Sequence, residues 1–423
     1  MIRRHVFFSI AVLIMGFFLV SGAEAQNTFK LKPGAKGKIC LTCHADFQQK
    51  LQNRFIHTPV KKDDCTGCHA PHASSHNKML SEAPEKICFQ CHASLITQNA
   101  ASSHQIAVKG NCVKCHDPHS SNNKFNLLKA GNELCFSCHK DMGDKIANVK
   151  FQHSPVQKDC TECHTPHTSA NNPWLLKADE KTLCLKCHRA DRPAFVALHS
   201  NYPVSRARCT TCHDPHGSSR GGILYTTVHP PVANKQCGLC HNAPNSPNPF
   251  ATKKQGLDLC KGCHISTVNV IFSKNRLHWP VASKTGCISC HNPHASSVKG
   301  LLKGSALSVC GSCHGDIVER LEKSLTKHKP VKDGNCTACH APHSSDNVFI
   351  LQKTSIIDLC GDCHDWQKHT THPIGDKVRD PRNRNLSVQC LSCHRSHGTE
   401  NKNMIYFSQI NELCIQCHEK YKR

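Results

Sequence analysis

Past residue 25 this chain has no long apolar stretch. Its apolar residues come in short runs of at most a handful. A Leu, Ile or Val stands just before certain cysteines, as in "NELCFSCHKD", "KTLCLKCHRA" and "NELCIQCHEK". Leu-Leu-Lys pieces recur at residues 127–129, 175–177 and 301–303. Proline, glycine and asparagine interrupt every unit, so the pattern predicts sparse secondary structure. Short helices are expected at the Leu/Ile/Val-preceded cysteines and just after them, for example over residues 316–325. The Leu-Leu-Lys pieces are too short to be elements and are expected to pack against something apolar that the chain itself does not supply. Aromatic residues make up only 5% of the 423 residues, so an ordinary large core is not expected.

Residues 6–20 form the one apolar run, behind Arg3 and Arg4 and ahead of the small-x-small sequence Ala23-Glu24-Ala25. This reads as an export signal over residues 1–25, with a mature chain beginning at Gln26. The run is shorter than the roughly 20 residues a membrane-spanning helix needs. Net charge is +23, which would ordinarily suggest nucleic acid or an anionic membrane. Export argues against nucleic acid, and the cysteines offer another account of the charge.

There are 32 cysteines, and all of them fall in sixteen Cys-x-x-Cys-His motifs. The pairs are Cys40 and Cys43, Cys65 and Cys68, Cys88 and Cys91, Cys112 and Cys115, Cys135 and Cys138, Cys160 and Cys163, Cys184 and Cys187, and Cys209 and Cys212. They continue with Cys237 and Cys240, Cys260 and Cys263, Cys287 and Cys290, Cys310 and Cys313, Cys336 and Cys339, Cys360 and Cys363, Cys390 and Cys393, and Cys414 and Cys417. Zinc sites use paired cysteines but do not require a histidine after every second one. Disulfides suit an exported chain but leave the sixteen histidines unexplained. Covalent haem c accounts for all three positions: two thiols add to the haem vinyl groups, and the next residue places an imidazole beneath the iron. Sixteen haem c groups are therefore expected, and their roughly 32 propionates would balance the lysines and arginines. The proximal ligands would be His44, His69, His92, His116, His139, His164, His188, His213, His241, His264, His291, His314, His340, His364, His394 and His418.

The motifs are of two kinds. Plain sites follow a Leu, Ile or Val. Flanked sites carry a His-x-Pro-Val-like segment upstream and a Pro-His or Ser-His downstream, as in "HTPVKKDDCTGCHAPH" and "HKPVKDGNCTACHAPH". Plain and flanked alternate from Cys40 to Cys209, with a two-site period that marks a stacked array. The sites at Cys209 and Cys237 are both flanked, and the order is reversed from there on. The expected organisation is two octahaem halves, residues 26–222 and 223–423, with a continuous rod as the rival. Residues 242–250, "NAPNSPNPF", read as a flexible loop.

Seventeen further histidines remain for the sixteen irons once His5 is set aside with the signal. Upstream of flanked sites stand His57, His104, His153, His199, His229, His278, His328 and His372; downstream stand His72, His119, His167, His216, His294, His343 and His397. The Cys237 site has no downstream His, and His76 or His369 is the candidate for the sixteenth place. A His three residues past a proximal His reaches at most about 10 Å along the backbone and cannot wrap round the same macrocycle. Each downstream His is therefore expected on a neighbouring haem, that of a plain site. An upstream His about eight residues ahead reaches roughly 26 Å and is expected on its own flanked haem.

The repeated "CxxCHxPHxS…LLK…LCxxCH" resembles the doubled-CxxCH multihaem cytochromes c, and among them is similar to decahaem periplasmic electron conduits that sit inside outer-membrane porins. It departs from those in having sixteen sites and a reversed order past Cys209. A weaker likeness is to filament-forming extracellular cytochromes. The resemblance implies a multihaem cytochrome c fold, mostly coil with short α-helices wrapped around an elongated haem array and little or no β-sheet. It also implies bis-His haems, other cytochromes or a porin as redox partners, and a place in the periplasm, at the outer membrane or outside the cell. Electron transfer without substrate turnover is the leading expectation, since two imidazoles leave an iron no open position. A reductase of nitrite, hydroxylamine or a sulfur oxyanion, with one five-coordinate haem, is the alternative, motivated by the Cys237 site. A structural polymer is a third.

Overall fold

The computed structural model describes residues 37–92, 95–366, 372, 374, 375 and 377–421. The expected export signal and His369 lie outside these residues. Two compact units divide the chain: Met1–Ala93 with Lys109–Ala130, and Ser94–Val108 with Gly131–Arg423. Both are built in the same way, from short helices, single turns and two-residue strands. Among the described residues no helix is long and apolar enough to cross a membrane.

One feature is common to all sixteen motifs. The N–H of each motif histidine donates to the carbonyl of the first cysteine four residues earlier, at 2.9–3.1 Å. This closes one helical turn. Positions i, i+3 and i+4 share a helix face, so both sulfurs and the imidazole emerge on one side.

Beyond this turn the two kinds of site diverge. At plain sites the first motif cysteine lies in an α-helix, as in Gly131–Phe136, Glu180–Leu185 and Ala306–Gly311. Side-chain caps start two of these: Asp179 accepts from the N–H of Thr182, and Ser305 from that of Ser308. A second helix then runs on from the motif histidine: Lys140–Asn148, Ile265–Phe272 and Gly315–Lys323. The last is the helix expected over residues 316–325. Each of these buries one apolar side chain, Ile146, Val268 and Leu321 respectively.

At flanked sites the motif cysteines lie on 3₁₀ turns, such as Cys160–Glu162 and Cys336–Ala338. A proline two residues after His116, His164, His213, His291 and His340 stops the helix. The chain instead folds into a hairpin that returns to the histidine: His116 bridges Leu127, His291 bridges Leu302 and His340 bridges Leu351. The leucines of the Leu-Leu-Lys pieces are thus strand partners of the motif histidines.

Strand pairs tie flanked sites to one another. Phe55–Ile56 pairs antiparallel with Ser120–Ser121 in the first unit. In the second, Ser102–Ser103 pairs with Thr168–Ser169, Thr227–Val228 with Ala295–Ser296, and Arg276–Leu277 with Ser344–Ser345. Each pair joins the segment before one flanked site to the segment after the next. Buried apolar side chains are few among the described residues: Ile146, Tyr202, Val268, Val281, Ala295, Leu321, Leu351 and Ile357. The chain does not fill its own interior.

Candidate haem-binding sites

In the flanked sites the motif histidine is held at its far nitrogen. Nδ1 of His69, His116, His164, His213, His241, His291, His340 and His394 sits 2.7–3.0 Å from the carbonyl of Lys78, Phe125, Trp174, Gly222, Phe250, Gly300, Phe349 and Asn403 respectively. A carbonyl only accepts, so Nδ1 carries the proton and Nε2 presents its lone pair, the tautomer a metal ligand needs. Seven of these carbonyls belong to residues with φ between 54° and 73°, the eighth being that of Phe250. Phe125, Trp174 and Phe349 are bulky residues there, a conformation that costs about 1–2 kcal/mol for an L-residue. Strain is held where it aims an imidazole.

The second set of histidines is placed by the strand pairs. Backbone N–H of His57 donates to the carbonyl of His119, His104 to His167, His229 to His294 and His278 to His343. Nδ1 of the upstream member is anchored as well, on the carbonyl of Pro118, Pro166, Pro215, Pro293 or Pro342 for His57, His104, His153, His229 and His278. Downstream members are steadied by the residue two before them. Asp117 accepts from the N–H of His119, Asp214 from His216 and Asn292 from His294. Asp117 and Asp214 are themselves paired with Lys50 and Lys145. Burial holds His119, His216, His294, His343 and His397 below the ordinary histidine range. They remain neutral at neutral pH, the form that ligates.

At thirteen sites the described residues show two histidines facing one another. Upstream His57, His104, His153, His229, His278, His328 and His372 face the motif histidine of the following plain site: His92, His139, His188, His264, His314, His364 and His418. Downstream His119, His216, His294, His343 and His397 face that of the preceding flanked site: His69, His164, His241, His291 and His340. Among these pairs His199 alone faces the motif histidine of its own site, His213. Both pairing expectations are corrected by this. A downstream His does go to a neighbour, but to a flanked one. An upstream His goes to the next plain site, because its strand is paired to a segment more than 60 residues away. Among the described residues, His44, His72 and His76 enter no ring pair.

Ring centroids in the thirteen pairs are 5.8–6.2 Å apart. An imidazole nitrogen lies about 2 Å from a bound metal and roughly 1.1 Å from its ring centre, so one iron between two imidazoles sets the centres about 6.2 Å apart. The donor set and its spacing fit haem iron. They do not fit bare zinc: among the described residues no three His, Cys, Asp or Glu side chains gather as a metal ion requires. No cysteine is bridged to another.

The attachment loops succeed one another in space. Plain-site helices pack against the turn of the flanked loop after them: Gly131–Phe136 against Cys160–Glu162, Glu180–Leu185 against Cys209–Thr211 and Leu257–Lys261 against Gly286–Ser289. Residues 242–250, expected to be flexible, are tied down: the Tyr202 hydroxyl donates to the carbonyl of Asn242 at 2.7 Å, and Phe250 holds His241.

The sequence profile of the doubled CXXCH motif matches residues 57–97, 104–144, 153–193, 201–228, 229–269, 278–319, 328–369 and 384–423. None of the curated proteins compared with the chain matches it. Seven of the eight matches contain a flanked loop and then a plain one, and the fourth, over Cys209, contains the flanked loop alone. Eight successive matches over most of the chain, laid on loops that each turn two sulfurs and an imidazole to one side, place it in the doubled CXXCH motif family, as an exported multihaem c-type cytochrome that transfers electrons.

Proposed function

We propose that the protein carries respiratory electrons along sixteen haem c groups, one on each Cys-x-x-Cys-His loop, with two histidines on each iron. The observation that supports this most is the constant gap of about 6 Å between facing imidazoles at sites far apart in sequence. The thirteen pairs described above would supply ligands for thirteen irons, and His72, His76, His167 and His369 are the candidates for the other sites.

When bound, haem c supplies one-electron exchange at iron. The chain's own residues do the rest. The second histidine takes the coordination position a substrate would need, which leaves electron exchange and not turnover. An anchored Nδ1 would hold one ligand of most pairs in place, and at the Cys209 site both His199 and His213 are anchored. An excess of Lys and Arg over Asp and Glu, 53 against 30, offsets haem propionates. The reductase alternative started from the missing downstream His at the Cys237 site. His294 faces His241 there and His199 faces His213, so that observation no longer favours it.

Residues 26–222 and 223–423 are proposed as two octahaem halves meeting where the order of sites reverses. The signal at residues 1–25, a periplasmic or outer-membrane setting and redox partners such as other cytochromes or a porin belong to the same reading. The test is the protein purified from a host able to attach haem c. Its mass should exceed the polypeptide's by sixteen haems, and the oxidised spectrum should be low-spin throughout. Iodoacetamide-reactive thiols would refute full attachment, and a high-spin ferric signal would refute saturation by histidine.

A further inference from the structure

Among the thirteen facing pairs described, the one at Cys209 differs from the other twelve in where its second histidine comes from. In those twelve the facing histidine belongs to another site. Here both, His199 and His213, lie within fifteen residues of one another in sequence. The reversal of order explains why. No plain loop stands between Cys209 and Cys237, so the usual target of His199 does not exist. The next flanked site also lacks the downstream His that would have faced His213. One irregularity frees an imidazole and the other leaves a position open, and the two cancel.

The local sequence accomplishes the redirection. Five other upstream histidines, His57, His153, His229, His278 and His328, stand two residues before proline-valine, as in His57-Thr-Pro-Val and His278-Trp-Pro-Val, and begin a helix. In His199-Ser-Asn-Tyr-Pro-Val the gap is four, and His199 ends the helix Pro193–Leu198 instead. Its Nδ1 is held by the carbonyl of Phe195, one helical turn back, at 2.8 Å. Ser200 and Asn201 then turn the chain sharply with φ of 53° and 63°. The Ser200 hydroxyl donates to the carbonyl of Lys235, and the buried Tyr202 holds Asn242.

The anchoring carbonyl sets the ring plane. Eleven of the thirteen pairs have planes within 13–30° of one another. His199 and His213 are crossed at 61°, and His372 and His418 at 50°. Parallel imidazoles donate π density to the same iron orbital and split it from its partner; crossed ones treat the two alike. Resting on bis-His ligation as proposed above, we infer that the Cys209 haem is a crossed-plane site, self-ligated by His199 and electronically set apart from its near-parallel neighbours at the point where the repeat changes order.

Electron paramagnetic resonance of the fully loaded, oxidised protein tests this. A strongly anisotropic low-spin signal is expected from a small minority of haems beside the rhombic signals of the rest. His199→Ala should remove the Cys209 share of it with the haem count by mass unchanged. His294→Ala should remove a rhombic component and leave the anisotropic one, and His372→Ala identifies any share from His418. Rhombic low-spin signals alone, or an anisotropic signal unchanged by His199→Ala, would overturn the inference while leaving bis-His ligation standing. High-spin iron throughout would instead overturn the reading on which it rests.

Discussion

Flanked and plain sites carry the same five-residue motif and the same closed turn, yet hold their histidine in different ways. At a flanked site such as His291, proline two residues on ends the turn, and a hairpin brings the Gly300 carbonyl back to Nδ1. At a plain site such as His314 the chain continues into helix Gly315–Lys323, and no Nδ1 hydrogen bond is made by a plain-site motif histidine among the described residues. The residues just after the histidine therefore decide whether the imidazole is clamped by its own hairpin or oriented only by what binds it. A wire needs successive sites to differ in some such way if their potentials are not to be identical, since hydrogen bonding beyond the ligand is one of the levers on potential.

The largest effect is expected from the facing histidines themselves. His294→Ala should convert the flanked Cys237 haem to high spin, and His229→Ala the plain Cys260 haem, each visible as one high-spin equivalent in the oxidised spectrum. If either substitution instead altered both sites, the assignment of one histidine to one haem would fail.

A smaller effect is expected at the clamp. Gly300 has φ of +73° and nothing within 4 Å of where a Cβ would stand, so Gly300→Val tests chiefly the backbone. A β-branched residue there should cost about 1–2 kcal/mol, read by thermal unfolding, and should shift the reduction potential of the Cys287 haem. Unchanged unfolding would show that the left-handed turn carries no strain.

The last flanked loop offers a test by pH. Arg382 donates to Asp380 through two nitrogens and reaches the carbonyl of Ser392 between the Cys390 motif cysteines. The hydrogen bond from Arg382 holds the Asp380 carboxyl below the usual carboxylate range. A carboxyl lowered on folding stabilises above its unfolded value of about 3.9, and that stability is lost as pH falls through the folded value. Asp380→Asn should remove this part of the acid sensitivity and cost about 1–3 kcal/mol at neutral pH, since Asp380 is buried. Identical acid unfolding of variant and parent would reject it.

The smallest effect belongs to the plain sites. Gly315 begins its helix with ordinary φ and nothing near its missing Cβ. Gly315→Ala should stabilise by about 0.5 kcal/mol in thermal unfolding, the opposite sign to Gly300→Val. A loss instead would mean that the plain-site helix is constrained as the hairpins are.

Some of this is legible in the residues and some is not. The helix beginning at Gly315 is visible in its spacing, and the stop after His291 in its proline. The left-handed turns at Phe125, Trp174 and Phe349 are not, because large aromatic residues are no signal for that conformation. Their carbonyls are needed by a histidine nine or ten residues earlier, and the tertiary need overrides local preference. The redirection of His199 does leave a trace, the widened gap before its proline-valine, but only the routes of the other upstream histidines give that gap its meaning.

The sequence alone determined the chemistry: thirty-two thiols and sixteen histidines at fixed offsets, with a second set of histidines to match, because Cys-x-x-Cys-His is a single helical turn and its geometry is local. Which imidazole faces which was decided by the tertiary structure. Those pairings rest on two-residue strands joining segments more than 60 residues apart, and a backbone ladder between serines and their like holds no record in the sequence of which partner it will find.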